Sequence, residues 1–204
     1  MASRWRFWSA AALVALAVGC GDKGAGAGAP KASFRSIDIT GAEYARKLEL
    51  PDAEGKPRSL AEFKGKVAVV FFGYTQCPDV CPTTMAELSQ IKQALGADGA
   101  RVQGIFVTVD PERDTPEVLK AYADSFNAGF IGLRGSADQT QQAAREFKVF
   151  FAKVPGKTAS TYTIDHTAGV YVFDPQGRIR LFSRNSAGPK ALEEDIRALL
   201  REAA

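Results

Sequence analysis

"KVAVVFFGYTQCPDVCPTT", Lys66 to Thr84, decides how the chain folds, because two patterns meet inside it. Lys66 to Tyr74 is an unbroken apolar run rich in valine and aromatics. Such a run predicts a strand buried on both faces at the centre of a sheet. Beyond Cys81, Leu88, Ile91 and Leu95 recur at i, i+3 and i+7, the pattern of an amphipathic helix. Between the two lie Cys77 and Cys81, four positions apart, each followed by a proline. Both sulfurs therefore sit where a central strand hands over to a helix, at the carboxyl end of the sheet. That is a common place for chemistry in α/β folds.

Working outward, "RVQGIFVTVD" (Arg101 to Asp110) predicts a second strand. A helix follows, with Thr115 as its cap, Pro116 at its first position, and Val118, Tyr122 and Phe126 turned inward. "FIGLRG" is a short strand, and Ser136 with Gln139 forms a capping box for a helix running to about Phe147. "GVYVFDPQGRIRLF", Gly169 to Phe182, reads as a hairpin turning at Asp174 to Gly177. The last helix carries Leu192, Ile196, Leu199 and Leu200 on one face. Upstream of the central strand, Lys47 to Leu60 predicts a small hairpin around "PDAEGKP". The order β-α-β-α-β-α-β-β-α implies an α/β fold: a mixed β-sheet flanked by helices, with an N-terminal β-hairpin extension.

The first residues read as an export signal. Arg4 and Arg6 precede a predominantly apolar run from Phe7 to Val18, twelve residues long, against the roughly 20 that a membrane-spanning helix needs. It ends in Ala17-Val18-Gly19-Cys20, which resembles a bacterial lipobox. Residues 1–19 are thus expected to be a lipoprotein signal peptide, with Cys20 becoming a lipid-modified first residue that anchors the protein to a membrane. Residues 20–33 hold no large apolar side chain and read as a flexible Gly/Ala tether. Residues 34–204 remain as one domain with room for a proper core. Without residues 1–19, which contain two arginines and no acid, the net charge drops from +3 to +1. A near-neutral domain has no electrostatic footprint for nucleic acid. Cys77 and Cys81 are then an isolated pair outside the cytoplasm, where thiols oxidise unless kept reduced or ligated.

Three roles are open to such a pair: a stabilising disulfide, a redox couple, or one jaw of a metal site. A helix N-terminus favours thiolate, so both sulfurs are expected to be more acidic than a free thiol. Positions i and i+4 on a helix place Cβ atoms roughly 5–6 Å apart, whereas a relaxed disulfide wants about 3.5–4.5 Å. A metal that accepts two sulfurs spans the wider gap with less distortion, although Pro78 and Pro82 can bend the segment enough to bridge it. A staple here would close a very short loop and restrain the unfolded chain little. The chain has one histidine, His166, in "TYTIDHTAGVYVFD", immediately before a predicted strand. The polar loop leading into it, Lys153 to Thr163, reads as movable. Should that strand lie beside the central one, the loop brings the imidazole over the sulfurs. Two thiolates and an imidazole suit Cu(I) and also Cu(II), with zinc plus a water as the rival. Asp165 and Asp79 are candidate partners behind the ligands.

"FFGYTQCPDVCPTT", "VTVDPERDTPEVLKAY" and "DHTAGVYVFDPQGRI", in this order and at these separations, resemble the Sco (SenC) family of copper-binding assembly factors. The resemblance runs from about Phe34 to the C-terminal helix. It implies a thioredoxin-like fold and one copper per chain, held by Cys77, Cys81 and His166. It further implies a role in building the binuclear copper centre of cytochrome c oxidase subunit II, from the extracytoplasmic, periplasmic face of a bacterial membrane. A copper donor and a thiol reductase are implied as partners. "DPERDTP", Asp110 to Pro116, is a signature of the family but reads physically as turn and helix-cap chemistry. The rival role is a thiol–disulfide reductase, with Cys77 attacking and Cys81 resolving. Against it stand the spacing, longer than Cys-x-x-Cys, and Thr167-Ala168 where thioredoxins carry a proline.

Overall fold

The computed structural model describes residues 33–158, 161–184 and 188–203. The signal segment, Cys20 and the tether up to residue 32 lie outside them. In chain order the elements are β1 (Ile37–Asp38), β2 (Glu49–Pro51), β3 (Pro57–Ser59), β4 (Val67–Gly73), α1 (Val80–Ala94), β5 (Val102–Thr108), α2 (Pro116–Asp124), β6 (Ile131–Leu133), α3 (Ala137–Glu146), β7 (Phe151–Pro155), β8 (Tyr162–His166), β9 (Gly169–Phe173), β10 (Ile179–Arg184) and α4 (Pro189–Glu202). A six-stranded sheet runs β1-β10-β9-β4-β5-β6. β4, β5 and β6 are parallel, β9 runs antiparallel to β4, and β10 runs antiparallel to β9, so the sheet is mixed. Every residue of β4 and of β5 is buried, which is why both read as continuous apolar runs.

Successive side chains of a strand face opposite ways, and the ring contacts show what each face meets. Phe71 and Phe106 share a face, with ring centroids 6.0 Å apart, and Tyr122 of α2 packs on Phe106 at 5.1 Å. Phe72 points to the other face, where Phe147, just past α3, lies 5.0 Å away. Helices therefore flank the sheet on both sides. The β2–β3 hairpin forms as expected and closes on the β6 edge. Asp52 bridges Leu133, and the Arg134 N–H donates to the Pro51 carbonyl at 2.9 Å. Covering an edge strand in this way removes its exposed row of hydrogen-bonding groups. The Asp174–Gly177 turn also forms, with Gly177 at φ +80° and its N–H donating to Asp174 at 2.8 Å.

Three features differ from the sequence reading. Leu119 and Ala123 are the buried residues of α2; Tyr122 packs half-buried against the core as expected, as does Phe126 from just beyond the helix end, whereas Val118 is 42 % exposed. Leu119 settles over Gly132, where an added Cβ would stand 2.6 Å from its Cγ; that fit centres the buried face on Leu119 and leaves Val118 outside it. The two-residue strand β1, which pairs with β10, had no signal in the sequence. Most relevant to function, the ends of the expected loop Lys153 to Thr163 are strand: Lys153 to Pro155 lie in β7 and Tyr162 and Thr163 in β8, which pair antiparallel from Phe151 opposite His166 to Pro155 opposite Tyr162.

Candidate metal centre

Sheet register brings the histidine to the cysteines. In the antiparallel pair β4–β9, Phe71 lies opposite Val170. Each step back along the chain from Val170 is thus a step forward past Phe71, which carries His166 to the level of the turn after Gly73. Along β8 the burial alternates: Ile164 is buried, Tyr162 and His166 are half-buried, and Thr163 and Asp165 are exposed. That period of two turns the imidazole towards the sulfurs.

Cys77 lies in the turn before α1, and Cys81 is the second residue of that helix, fully buried. Neither is in a disulfide. The Cys77 sulfur accepts from the Cys81 backbone N–H at 3.5 Å, as expected of a group seated at the open end of a helix. Cys81 Sγ lies 3.4 Å from His166 Nε2. His166 Nδ1 is 3.1 Å from the Thr167 carbonyl, which can only accept, so Nδ1 carries the proton and Nε2 presents its lone pair to the sulfur. The ring is wedged edge-on between Phe71 and Tyr74, each 6.0 Å away. The donor atoms of Cys77, Cys81 and His166 all lie within 4.8 Å of one another. Around one ion, a sulfur at about 2.3 Å and a nitrogen at about 2.0 Å stand roughly 3.5–3.7 Å apart in trigonal or tetrahedral geometry. The observed 3.4 Å is close to that.

Electrostatics corrects one expectation. Cys81 is not acidified by its helix; burial pushes its thiol up, the neighbouring Cys77 adds to the rise, and a hydrogen bond from the Tyr74 backbone only partly opposes it. Desolvation outweighs the helix end because the sulfur is sealed from water. Burial likewise holds the His166 pKa below its usual value, partly offset by the Thr167 carbonyl and by Asp165. The metal-free pocket thus favours a neutral imidazole beside a protonated thiol. Asp165 itself is exposed, as is Asp79 at the start of α1, and the group that orients the imidazole is the Thr167 carbonyl.

Gly73 leaves room for the buried sulfur. A Cβ there would meet Cys81 Sγ at 2.7 Å and the Phe106 ring at 3.0 Å. Gly73→Ala is therefore expected to displace Cys81 and to destabilise the fold by about 1–3 kcal/mol, measured by urea unfolding of the metal-free protein.

Sequence reasoning found the three donors but missed the groups packed beneath them. Thr115 caps α2 and Pro116 opens it, as read. In addition, Asp114 is fully buried, and its carboxylate accepts from the Thr75 N–H at 3.1 Å, the Thr75 hydroxyl at 2.6 Å and the Thr108 hydroxyl at 2.5 Å. These bonds hold the cysteine turn down on β5. Burial raises the Asp114 pKa, and the hydroxyl donors oppose the rise.

A mixed sheet flanked by helices, with two thiols at its central strand-to-helix junction and a histidine from a neighbouring strand, defines a thioredoxin-like protein with three donors that could hold a soft metal ion. Comparison with known proteins makes the class specific: residues 38–201 match the SCO1/SenC family model, and the chain belongs to that family. It is 35% identical over 151 residues to an SCO2-like protein of Rickettsia felis, covering 74% of each chain. It is also 35% identical over 152 residues to the mitochondrial SCO2 homolog of mouse, a match that spans 74% of this chain but only 60% of the mouse protein. Among solved structures it resembles Bradyrhizobium japonicum ScoI with copper bound. The identity is 39% and the TM-score 0.68, over 76% of this chain and 98% of that one.

Proposed function

We propose that this protein is a copper carrier that takes up one ion per chain through Cys77, Cys81 and His166 and delivers it to cytochrome c oxidase subunit II. The observation that carries the reading is the convergence of two sulfurs and one imidazole nitrogen to within 4.8 Å, from positions 85 residues apart in sequence. Thiolate softness selects Cu(I), and the mixed sulfur–nitrogen set also accommodates Cu(II). Copper in the Bradyrhizobium japonicum relative favours that ion over zinc. Cys77 is half-exposed while Cys81 is sealed, so an acceptor thiolate reaches the ion from the Cys77 side.

The same asymmetry favours a second reading, a thiol–disulfide reductase that prepares the acceptor. Cys77 would attack an acceptor disulfide and release one acceptor thiolate. Cys81 would then attack the Cys77 sulfur, release the second thiolate and leave a Cys77–Cys81 disulfide, which an external thiol reductase reduces. In either role, an export signal at residues 1–19 and lipid on Cys20 would put the domain on the extracytoplasmic face of a bacterial membrane, linked through the tether of residues 20–33. No helix among the described residues is long and apolar enough to cross a membrane.

The two roles separate in one experiment, in which copper-loaded protein is mixed with the metal-free, fully reduced soluble domain of subunit II. A carrier loses its copper to the acceptor, read as copper in the acceptor fraction after the two proteins are separated. Retention of copper by the donor, together with efficient reduction of an oxidised acceptor in a parallel sample, would assign the protein to the reductase role instead.

A further inference from the structure

The two halves of the site come from parts of the molecule with few ties between them. Strands β7 and β8 form their own two-stranded sheet, separate from the main one. An isolated two-stranded hairpin is marginal in water, so something must hold this one in place over the cysteine turn. Near the ligands, Tyr74 accepts from the Ile164 N–H at 3.2 Å, and the Phe71 and Tyr74 rings flank His166. Further polar links run through the loop between β5 and α2, where Glu112 pairs with Lys153 of β7 at 2.6 Å. Arg113 Nη1 donates to the Tyr162 carbonyl on β8 at 2.9 Å and to the Gln76 side chain at 3.2 Å, the residue immediately before Cys77. Its guanidinium lies over the Tyr162 ring, 3.6 Å from the centroid, and 5.7 Å from the Tyr74 ring. Arg113 Nε is paired with the buried Asp110, whose other oxygen accepts from the Tyr162 hydroxyl at 2.9 Å.

We propose that Arg113 is a positioning residue for the metal centre, clamping hairpin β7–β8, and with it His166, in register over the cysteine turn. The planar guanidinium suits this because one rigid fork reaches a carboxylate, a backbone carbonyl and a side-chain amide while stacking on an aromatic face. Arg113 touches no donor atom and acts only through where it holds β8 and Gln76. The proposal rests on the copper reading for its consequence, but the clamp itself is a property of the metal-free fold.

Four proteins test it: the wild type, Arg113→Ala, His166→Ala and the double variant. Copper affinity is measured by competition with a chelator, imidazole ligation by pulsed EPR of the Cu(II) form, and hairpin order by amide hydrogen exchange without metal. Arg113→Ala is expected to weaken copper binding by about 10–100-fold, as is typical when a group supporting a ligand is removed. It is also expected to diminish the imidazole signal and to speed exchange at β8 relative to β9. In the His166→Ala background the same change should cost much less affinity, because only the contact with Gln76 beside Cys77 is then left to act. An equal loss in both backgrounds, or unaltered exchange at β8, overturns the proposal. Should Arg113→Ala fail to fold, Tyr162→Phe removes only the hydroxyl bond to Asp110, and a smaller loss confined to the His166 background is expected. Unchanged affinity and exchange in that variant count against the clamp. Faster β8 exchange in a protein whose wild type binds no copper would uphold the clamp and reject the copper reading.

Discussion

Cys81→Ser is expected to lower affinity for Cu(I) on the order of 10³-fold or more, because it exchanges a soft thiolate for a hard hydroxyl that stays protonated. The position amplifies the loss. Cys81 is fully buried between Gly73, the Phe106 ring and the imidazole, so no water or neighbouring group can take the sulfur's place beside the ion. Folding should survive, since the serine hydroxyl can donate to His166 Nε2, as the thiol does now. The check pairs a Cu(I) competition titration with a thermal melt of the metal-free variant. A large affinity loss with a nearly unchanged melt is the expected pattern. Retained tight binding would place the copper elsewhere.

His166→Ala is expected to weaken copper binding on the order of 10²-fold, leaving a two-sulfur site open on one side. Thiol–disulfide exchange should change little, because attack starts at Cys77, the more exposed sulfur, and needs no imidazole. The two measurements therefore move apart, which a general loss of structure cannot produce. Unchanged copper affinity would remove His166 from the site and leave the cysteine pair as a redox couple.

Wherever one dominant force set the outcome, the sequence was legible. The apolar run Val67 to Gly73 became a fully buried strand, since burial on both faces leaves no other reading of such composition. Ser136 and Gln139 formed their capping box, because local hydrogen bonding at a helix start depends on neighbours three residues away. Errors arose where several weak effects compete or where long-range packing decides. Of the Val118–Tyr122–Phe126 stripe, Tyr122 and Phe126 do pack on the core, while Val118 is exposed and the fit of Leu119 over Gly132 puts Leu119 inward instead. Strand β8 was hidden because Thr163 and Asp165 made the segment look polar, although Tyr162, Ile164 and His166 alternate with them as a half-buried strand requires.

At the site, the identities of the donors could be read, while their environment could not. Three rare side chains in a family pattern pointed to Cys77, Cys81 and His166, and the fold brings them together. A helix-end argument made both thiols acidic because it considered one local dipole. The enclosure of Cys81 by residues distant in sequence reverses the outcome for that sulfur. In the same way, nothing in "DPERDTP" announced that Asp114 anchors Thr75 or that Arg113 reaches β8, since both depend on a register set by β4, β5 and β9. The strand pairing from Phe151 opposite His166 to Pro155 opposite Tyr162 also bears on the proposed release of copper, because it leaves the half-exposed Cys77 as the more open side of the site.

X-ray absorption of the reduced protein titrated with Cu(I) tests the assembled site most directly. The account predicts saturation at one copper per chain, with two sulfurs at about 2.3 Å and one nitrogen at about 2.0 Å, the nitrogen vanishing in His166→Ala. A sulfur-only shell in the wild type, unaffected by that substitution, would contradict it.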